Sequence, residues 1–268
     1  MLFDTHNHLN SSDFDGERDS YVQMAARQGV AGLCIIGSDE GTLERGFAML
    51  NDYPQVVMIC GAHPVEAKDL TPERWEAFEK AWQHPQVVGV GEIGLDYHWP
   101  DSPPKVQKEV FVKQLAAARR LGLPFAIHTR DSLEDTYAIL KEEQAGDIGG
   151  VIHSFGYDLD WAKKFLDLGL YLSFSGVATF KKSKAVREAA AYAPLDRILI
   201  ETDSPYLTPE PFRGKVNHPA LVRFVNDRLA YERGLSYEKF AKATYENACR
   251  FYRLQEVAGG FRRANAHD

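Results

Sequence analysis

Cysteine is scarce in this chain of 268 residues. Cys34, Cys60 and Cys249 lie far apart and form no Cys-x-x-Cys pair. A sparse and odd set of this kind argues against a disulfide framework and for a reducing compartment. Because Cys34 and Cys60 stand inside apolar runs, we expect them to be buried thiols without a catalytic role.

Long apolar runs are also missing. No stretch approaches the roughly 18 apolar residues that a membrane span needs, and the N-terminus lacks the basic and apolar regions of a secretory signal. Positive charge is in deficit, since 31 Lys and Arg face 38 Asp and Glu for a net charge of −7. We therefore expect a cytoplasmic protein without membrane contact, in which a polyanion would bind only at a local site helped by bound cations.

No linker or low-complexity tract divides the chain, so we treat residues 1–268 as one domain. What recurs is a short apolar run followed by a polar segment of helical period. The runs lie at 2–6, 31–36, 56–60, 87–91, 124–127, 149–152, 170–173 and 197–200. Short β-branched runs are typical of buried parallel strands. Eight strand–helix units predict a (β/α)8 TIM barrel, with a doubly wound open sheet as the alternative.

Helix-start signals lie in the segments between the runs. Thr71 before Pro72 predicts a helix N-terminus with threonine as the cap. Asp131 with Glu134 predicts a capping box in which Asp131 is the cap. A last helix is expected over about 236–253.

Metal-ligand side chains stand at the ends of several runs. His6 and His8 are two residues apart, and on a strand such residues point to the same face. Glu92, His128, His153 and Asp203 each follow a different apolar run. The barrel explains this arrangement better than the open sheet, because only a closed ring brings these strand ends together.

Four histidines and two carboxylates are too many ligands for one tetrahedral ion, and they suit two ions that share a carboxylate. We assign His6, His8, Glu92 and Asp203 to the first ion, and Glu92, His128 and His153 to the second. Glu92 would bridge the ions, and Asp203 would also be the general base for a shared water. Imidazole-rich ligation favours Zn, Mn, Fe or Co over an oxygen-only Mg site, without excluding Mg.

Three further residues are assigned to substrate binding. His63 follows the third run and could orient a substrate oxygen, or be a loop histidine beside a proline. Glu201 shares a strand face with Asp203. Arg130 could hold a phosphate bidentately, or pair with a neighbouring carboxylate.

Other polar residues allow two interpretations each. Asp96 could position a ligand histidine or cap the turn that follows it. Basic residues follow the seventh and eighth runs and could meet a polyanion or form a solvated face; they are Lys181, Lys182, Lys184, Arg213 and Lys215.

These residues resemble the TatD family of metal-dependent deoxyribonucleases, in particular its YjjV-like members. The matching motifs cover nearly the whole chain: Asp-Thr-His-Asn-His-Leu at 4–9, Gly-Ala-His-Pro at 61–64, Gly-Glu-Ile-Gly-Leu-Asp-Tyr at 91–97, His-Thr-Arg at 128–130, His-Ser-Phe at 153–155 and Glu-Thr-Asp-Ser-Pro-Tyr-Leu at 201–207. The resemblance implies a TIM barrel of the metal-dependent hydrolase (amidohydrolase-like) type with two divalent cations. The ligand positions of the family fall on the six residues assigned above.

The best-known activity of the family is metal-dependent cleavage of DNA, often from a 3′ end on single strands. The resemblance therefore implies a deoxyribonuclease that acts on ester bonds, with single-stranded DNA ends as substrate; short connections lead us to expect a monomer. The alternative is an amidohydrolase-type enzyme acting on a small-molecule amide, lactone or phosphoester. Many such barrels use a carbamylated lysine where Glu92 stands, which disfavours this alternative. A non-enzymatic metal-binding protein is disfavoured by the intact Asp203.

Overall fold

A computed structural model describes residues 1–264 of the chain. Eight parallel strands form one sheet in which each strand lies beside the next one along the chain. The strands are β1 (Leu2–Asn7), β2 (Val30–Gly37), β3 (Val56–Cys60), β4 (Val87–Asp96), β5 (Phe125–Arg130), β6 (Gly150–Ile152), β7 (Tyr171–Phe174) and β8 (Ile198–Ile200). Each strand overlaps one of the eight apolar runs of the sequence.

The two edges of this sheet meet just beyond the ends of β1 and β8. The amide of Asp203 donates to the carbonyl of His6 at 2.9 Å, and the amide of His8 donates to the carbonyl of Ser204 at 2.9 Å. The sheet is therefore a nearly closed barrel with helices around it. The predicted TIM barrel is confirmed, and the doubly wound alternative is wrong.

Helices connect consecutive strands and follow the last one. They are α1 (Arg18–Arg27), α2 (Glu40–Asp52), α3 (Pro72–Ala81), α4 (Pro104–Leu121), α5 (Leu133–Glu142), α6 (Leu159–Asp167), α7 (Lys184–Tyr192), α8 (Val222–Glu232) and α9 (Tyr237–Phe251). The Thr71 side chain accepts the Arg74 amide and caps α3 as predicted. Within residues 1–264, no helix has both the length and the apolar character needed to cross a membrane.

The predicted cap at Asp131 is wrong. Helix α5 begins at Leu133, and Ser132 takes the capping position without a side-chain cap bond. Asp131 has a left-handed backbone (φ 53°), and its carboxylate lies 3.3 Å from Nδ1 of His98. The left-handed turn at Asp131 therefore displaces the helix start by one residue.

The amino-terminal end of the barrel is closed by a hairpin that the sequence patterns did not indicate. Strands β9 (Leu254–Val257) and β10 (Gly260–Arg263) pair antiparallel. Phe261 packs against Phe3 of the barrel interior, with ring centroids 5.6 Å apart, and its amide donates to the Pro54 carbonyl at 2.9 Å. The hairpin and α9 thus cover the amino-terminal end of the barrel, which we call its floor. The carboxyl-terminal end, which we call its mouth, stays open.

Gly94 allows β4 and β5 to approach closely. Its φ is 131°, and a Cβ atom at this position would lie 2.1 Å from the carbonyl oxygen of His128. Glycine is therefore required at this position for contact between the two strands. The contact places His128 of β5 beside Glu92 of β4.

Candidate active site

The six assigned metal ligands meet at the carboxyl-terminal mouth of the barrel. His6 lies in β1 and His8 directly after it. Glu92 and His128 lie in β4 and β5, whereas His153 and Asp203 follow the ends of β6 and β8. Parallel strands end at one mouth, so residues far apart in the chain converge there.

Glu92 is the centre of this cluster. Its Oε2 lies 3.3 Å from Nε2 of His6 and 3.8 Å from Nε2 of His8. Its Oε1 lies 2.8 Å from Nδ1 of His128 and 2.9 Å from Nε2 of His153. One carboxylate thus faces two separate groups of imidazoles, one with each oxygen.

Asp203 completes the group on the Oε2 side. Its Oδ1 lies 3.3 Å from Nε2 of His8 and 3.8 Å from Nε2 of His6. Asp203 has a left-handed backbone (φ 55°), an unfavourable conformation that the surrounding structure must hold in place. Its amide donates to the His6 carbonyl at 2.9 Å, and its carbonyl accepts the Tyr206 amide at 3.0 Å.

Asp96 fulfils both of the roles suggested by the sequence. Its Oδ2 accepts a hydrogen bond from Nε2 of His128 at 2.8 Å. Its Oδ1 accepts the backbone amides of His98 at 2.9 Å and Trp99 at 3.1 Å. Because Asp96 keeps a hydrogen on Nε2, the Nδ1 atom of His128 is the one that would give up its hydrogen and bind a metal ion.

Glu201 lies behind His153 rather than at the surface of the mouth. It is fully buried, and its Oε1 lies 3.2 Å from Nδ1 of His153 and accepts the Ser154 amide at 2.7 Å. Its Oε2 accepts the hydroxyl of Ser173. This placement corrects our assignment of Glu201 to substrate binding. We made that assignment from strand phase, which does not distinguish a side chain at the open mouth from one covered by a neighbouring histidine.

His63 also faces Glu92, with its Nε2 3.5 Å from Oε1. Its Nδ1 accepts the backbone amide of Val65 at 3.3 Å. The neutral ring therefore carries its hydrogen on Nε2, and burial lowers the pKa of His63, which favours this neutral form. His63 thus presents an N–H group to the mouth.

The charges in the cluster are strongly coupled. Burial raises the pKa of Glu92, but the positive charge of His153 and the hydrogen bonds from His128 and His153 outweigh it and hold that pKa well below its usual range. Burial lowers the pKa of His153, but the charge of Glu92 and the hydrogen bond with Glu201 outweigh it and raise that pKa well above its usual range. Glu92 is therefore ionised at neutral pH.

The histidines fit divalent cations. His6 is 1% exposed, and neither of its ring nitrogens has a hydrogen-bond partner among the described residues. Burying a polar ring without a partner is costly, and a metal ligand bond would satisfy Nε2. His128 and His153 each donate a hydrogen bond from their second ring nitrogen to a buried carboxylate, as metal-ligating histidines do.

Arg130 lies at the end of β5 and is exposed to solvent. Within residues 1–264, it forms no ion pair with Asp131 or Glu134, and its guanidinium carbon lies 5.8 Å from the centroid of the Trp99 ring. Trp99 and Tyr206 are aromatic residues of the mouth that our sequence analysis missed. Their position three residues after Asp96 and Asp203, where loops leave the strands, was the available signal.

Comparisons with known proteins agree with this site. The family model for TatD related DNase matches residues 3–253. The uncharacterized metal-dependent hydrolase YabD of Bacillus subtilis is 42% identical over 254 residues, which cover 95% of this chain and 100% of YabD. The 3′-5′ ssDNA/RNA exonuclease TatD of Salmonella typhimurium is 30% identical over 252 residues, which cover 92% of this chain and 97% of that protein.

A solved structure shows the same architecture. The crystal structure of YjjV, a TatD homologue from Escherichia coli, matches with a TM-score of 0.88 at 27% identity, covering 95% of this chain and 98% of YjjV. The expected family membership is confirmed by sequence and by fold. The chain belongs to the TatD family of metal-dependent hydrolases.

Proposed function

We propose that this hydrolase cleaves phosphodiester bonds in DNA, as a 3′–5′ exonuclease on single strands, with two divalent cations in its site. The observation that carries the proposal is the carboxylate of Glu92, whose two oxygens face two different imidazole groups. A carboxylate shared in this way is suited to two cations about 3.5–4 Å apart, the spacing used for phosphoester hydrolysis. The 3′-5′ ssDNA/RNA exonuclease among the relatives supports the choice of nucleic acid.

The distances support the ligand assignment. His6, His8, Asp203 and Oε2 of Glu92 would hold one ion, whereas His128, His153 and Oε1 of Glu92 would hold the other. When bound, the ions would lower the pKa of a shared water and neutralise charge on the phosphate. Zn, Mn, Mg and Co all remain candidates, because these ligand types accept each of them.

Asp203 is the proposed general base. Burial raises the pKa of its carboxyl group, but the hydrogen bond from His8 and the charges of His153 and His6 outweigh burial and lower it. The carboxylate is thus ionised and able to accept a proton as a water oxygen attacks phosphorus. In an exonuclease that removes 3′ nucleotides, the bond to the preceding 3′ oxygen would then break.

His63 and Arg130 are the proposed contacts to the substrate. The Nε2–H group of His63 can donate to a phosphoryl oxygen next to Glu92. The guanidinium of Arg130 has no carboxylate partner among the described residues and can bind a phosphate bidentately. Glu201 and Asp96 would act through His153 and His128, which they orient.

Three free cysteines fit a reducing compartment, so we place the protein in the cytoplasm. Separately, the short connections between its elements lead us to propose a monomer. The nuclease proposal does not depend on either point.

The test uses metal-stripped protein and a single-stranded DNA oligomer labelled at the 5′ end or at the 3′ end. Mg, Mn, Zn or Co is added back, and the ions bound per chain are counted by elemental analysis. We expect stepwise shortening of the 5′-labelled strand and immediate release of the 3′ label as a mononucleotide. Asp203→Asn should abolish both, whereas Asp52→Asn, which changes an exposed carboxylate at the end of α2, should not.

Two results would contradict the proposal. Immediate release of the 5′ label as a mononucleotide, with stepwise shortening of the 3′-labelled strand, would reverse the direction of cleavage. Absence of cleavage with every metal, in protein shown to hold two ions, would instead favour the amidohydrolase-type reaction on a small amide, lactone or phosphoester, to be sought with a substrate panel.

A further inference from the structure

Tyr206 is an exposed aromatic residue directly beside the metal-ligand cluster. Its side chain is 59% exposed, and its ring lies edge-on to the ring of His8 with centroids 6.1 Å apart. Aromatic rings usually bury much of their surface, so an exposed ring at the mouth of a site offers a face to a ligand. Stacking on such a face is how proteins take up a nucleobase without reading its sequence.

The backbone of Tyr206 is fixed relative to the proposed base Asp203. Its amide donates to the Asp203 carbonyl at 3.0 Å. The side-chain amide of Asn217 donates to the carbonyls of Tyr206 at 2.6 Å and Thr202 at 2.8 Å. The ring is therefore attached to the same rigid turn as Asp203, so a base stacked on it would hold its phosphate at a defined distance from that carboxylate.

The loop that carries Tyr206 is joined to the loop after β7. The guanidinium carbon of Arg213 lies 3.8 Å from the centroid of the Phe180 ring. The Thr179 hydroxyl accepts the backbone amide of Glu210 at 2.9 Å. The two loops thus form one surface next to the mouth.

Four basic side chains of this surface have no carboxylate partner among the described residues. Lys181, Lys182, Arg213 and Lys215 are all exposed. Within residues 1–264, none of them has a carboxylate oxygen within 4.0 Å, in contrast to Lys184, which pairs with Glu188 at 3.4 Å. In a chain of net charge −7, a group of unpaired cations beside one site is suited to the spaced phosphates of a strand.

We propose that the base next to the scissile phosphate stacks on Tyr206, and that the phosphates beyond it run along Lys181, Lys182, Arg213 and Lys215. This inference rests on the nuclease function proposed above and adds a residue that stacks on a base and a path for the strand beyond the site. The substrate is a single strand several nucleotides long, read without sequence preference. A base in a duplex is stacked between its neighbours and offers no free face to Tyr206.

The experiment compares two oligomers that differ in one base. One is a normal single strand, and the other carries a stable tetrahydrofuran abasic residue at the terminal or penultimate 3′ position. The protein should cleave the normal strand with a kcat/KM about 10-fold or more above that of the abasic strand, as expected for one stacked base. Tyr206→Ala should cleave both strands at the low rate, because it has already lost the stacking contact.

Two variants separate stacking from other roles. Tyr206→Phe keeps the ring and removes the hydroxyl, so it should retain the preference for the normal strand over the abasic strand that Tyr206→Ala loses. Tyr231→Ala removes an exposed tyrosine at the far end of α8 and should have no effect. A loss in Tyr206→Phe equal to that in Tyr206→Ala would overturn the proposal and assign the role to the hydroxyl.

The basic side chains are tested through the salt dependence of kcat/KM. For a single strand, each lost phosphate contact should reduce the slope of log(kcat/KM) against log[NaCl] by about 0.7. Lys181→Ala combined with Lys182→Ala removes two such contacts and should reduce the slope by about 1.4, whereas Lys80→Ala on α3 should not change it. An unchanged slope would overturn the proposed strand path.

Failure of this inference is distinguishable from failure of the nuclease function. Equal cleavage of the normal and abasic strands by the unchanged protein would overturn the stacking proposal while leaving the nuclease function intact. Absence of cleavage of both strands would overturn the nuclease function itself.

Discussion

Asp96 binds Nε2 of His128 with one carboxylate oxygen and the amides of His98 and Trp99 with the other. The loop after β4 is thereby joined to an imidazole of β5. Because Asp96 is an acceptor only, it requires the His128 hydrogen on Nε2 and leaves Nδ1 directed at Glu92, 2.8 Å away.

Asp96→Asn should weaken metal binding by about 10–100-fold while leaving the fold intact. An amide NH2 group facing Nε2 would favour the hydrogen on Nδ1, where it blocks the ligand bond. Metal content measured against increasing chelator would show the loss. Asp101→Asn, which changes an exposed carboxylate of the same loop, is the control. Equal chelator resistance in both variants would contradict the positioning role of Asp96.

Metal removal should destabilise the protein, because His6 is buried and no described residue forms a hydrogen bond with either of its ring nitrogens. An ion at 100 times its Kd contributes about 2.7 kcal/mol, which corresponds to a rise in Tm of about 5–10 °C for a domain of about this size. Thermal unfolding with and without added Zn or Mn measures the rise. His6→Ala should show a smaller metal-dependent rise in Tm, and His84→Ala should show the same rise as the unchanged protein. The same rise in all three would mean that the ion binds elsewhere.

The sequence predicted the strands, and the meeting of the six assigned ligands at one mouth, for a simple physical reason. Strands buried on both faces need continuous apolar runs, and the ligands stand where those runs end. The sequence patterns left the partners of the ligands undecided. Glu201 and Asp203 have the same strand phase, yet one is covered by His153 and the other opens to the mouth.

The C-terminal hairpin was missed because its residues carry no strand pattern. Strand β9 is Leu-Gln-Glu-Val and β10 is Gly-Phe-Arg-Arg, so neither has a continuous apolar run. Their pairing depends on contacts distant in sequence, such as Phe261 against Phe3. Local propensity does not predict short elements that are stabilised by tertiary packing.

The thiols of Cys34 and Cys60 should be unreactive in the native protein. Both are fully buried, and burial raises the pKa of Cys34 to about 12, so that roughly 1 in 10,000 of these groups is a thiolate at pH 8. Alkylation at pH 8 followed by mass spectrometry should modify no residue other than Cys249 in native protein, and all three cysteines in denaturant. Rapid native modification of Cys34 would show that the barrel interior opens readily.

Phe261→Ala should destabilise the protein by about 3 kcal/mol, within the range for truncating a buried Phe. Phe261 is 5% exposed and contacts Phe3 and Tyr245 at the floor of the barrel, so its removal leaves a cavity below β1. Val257→Ala in the same hairpin changes a more exposed side chain and should cost less than about 0.5 kcal/mol. Urea unfolding gives both values. Metal content should be unchanged in both variants, because the floor and the ligand cluster lie at opposite ends of the barrel. If Phe261→Ala loses no more stability than Val257→Ala, the hairpin contributes little to closing the barrel. If either variant loses metal, the floor of the barrel positions β1 together with His6 and the adjacent His8.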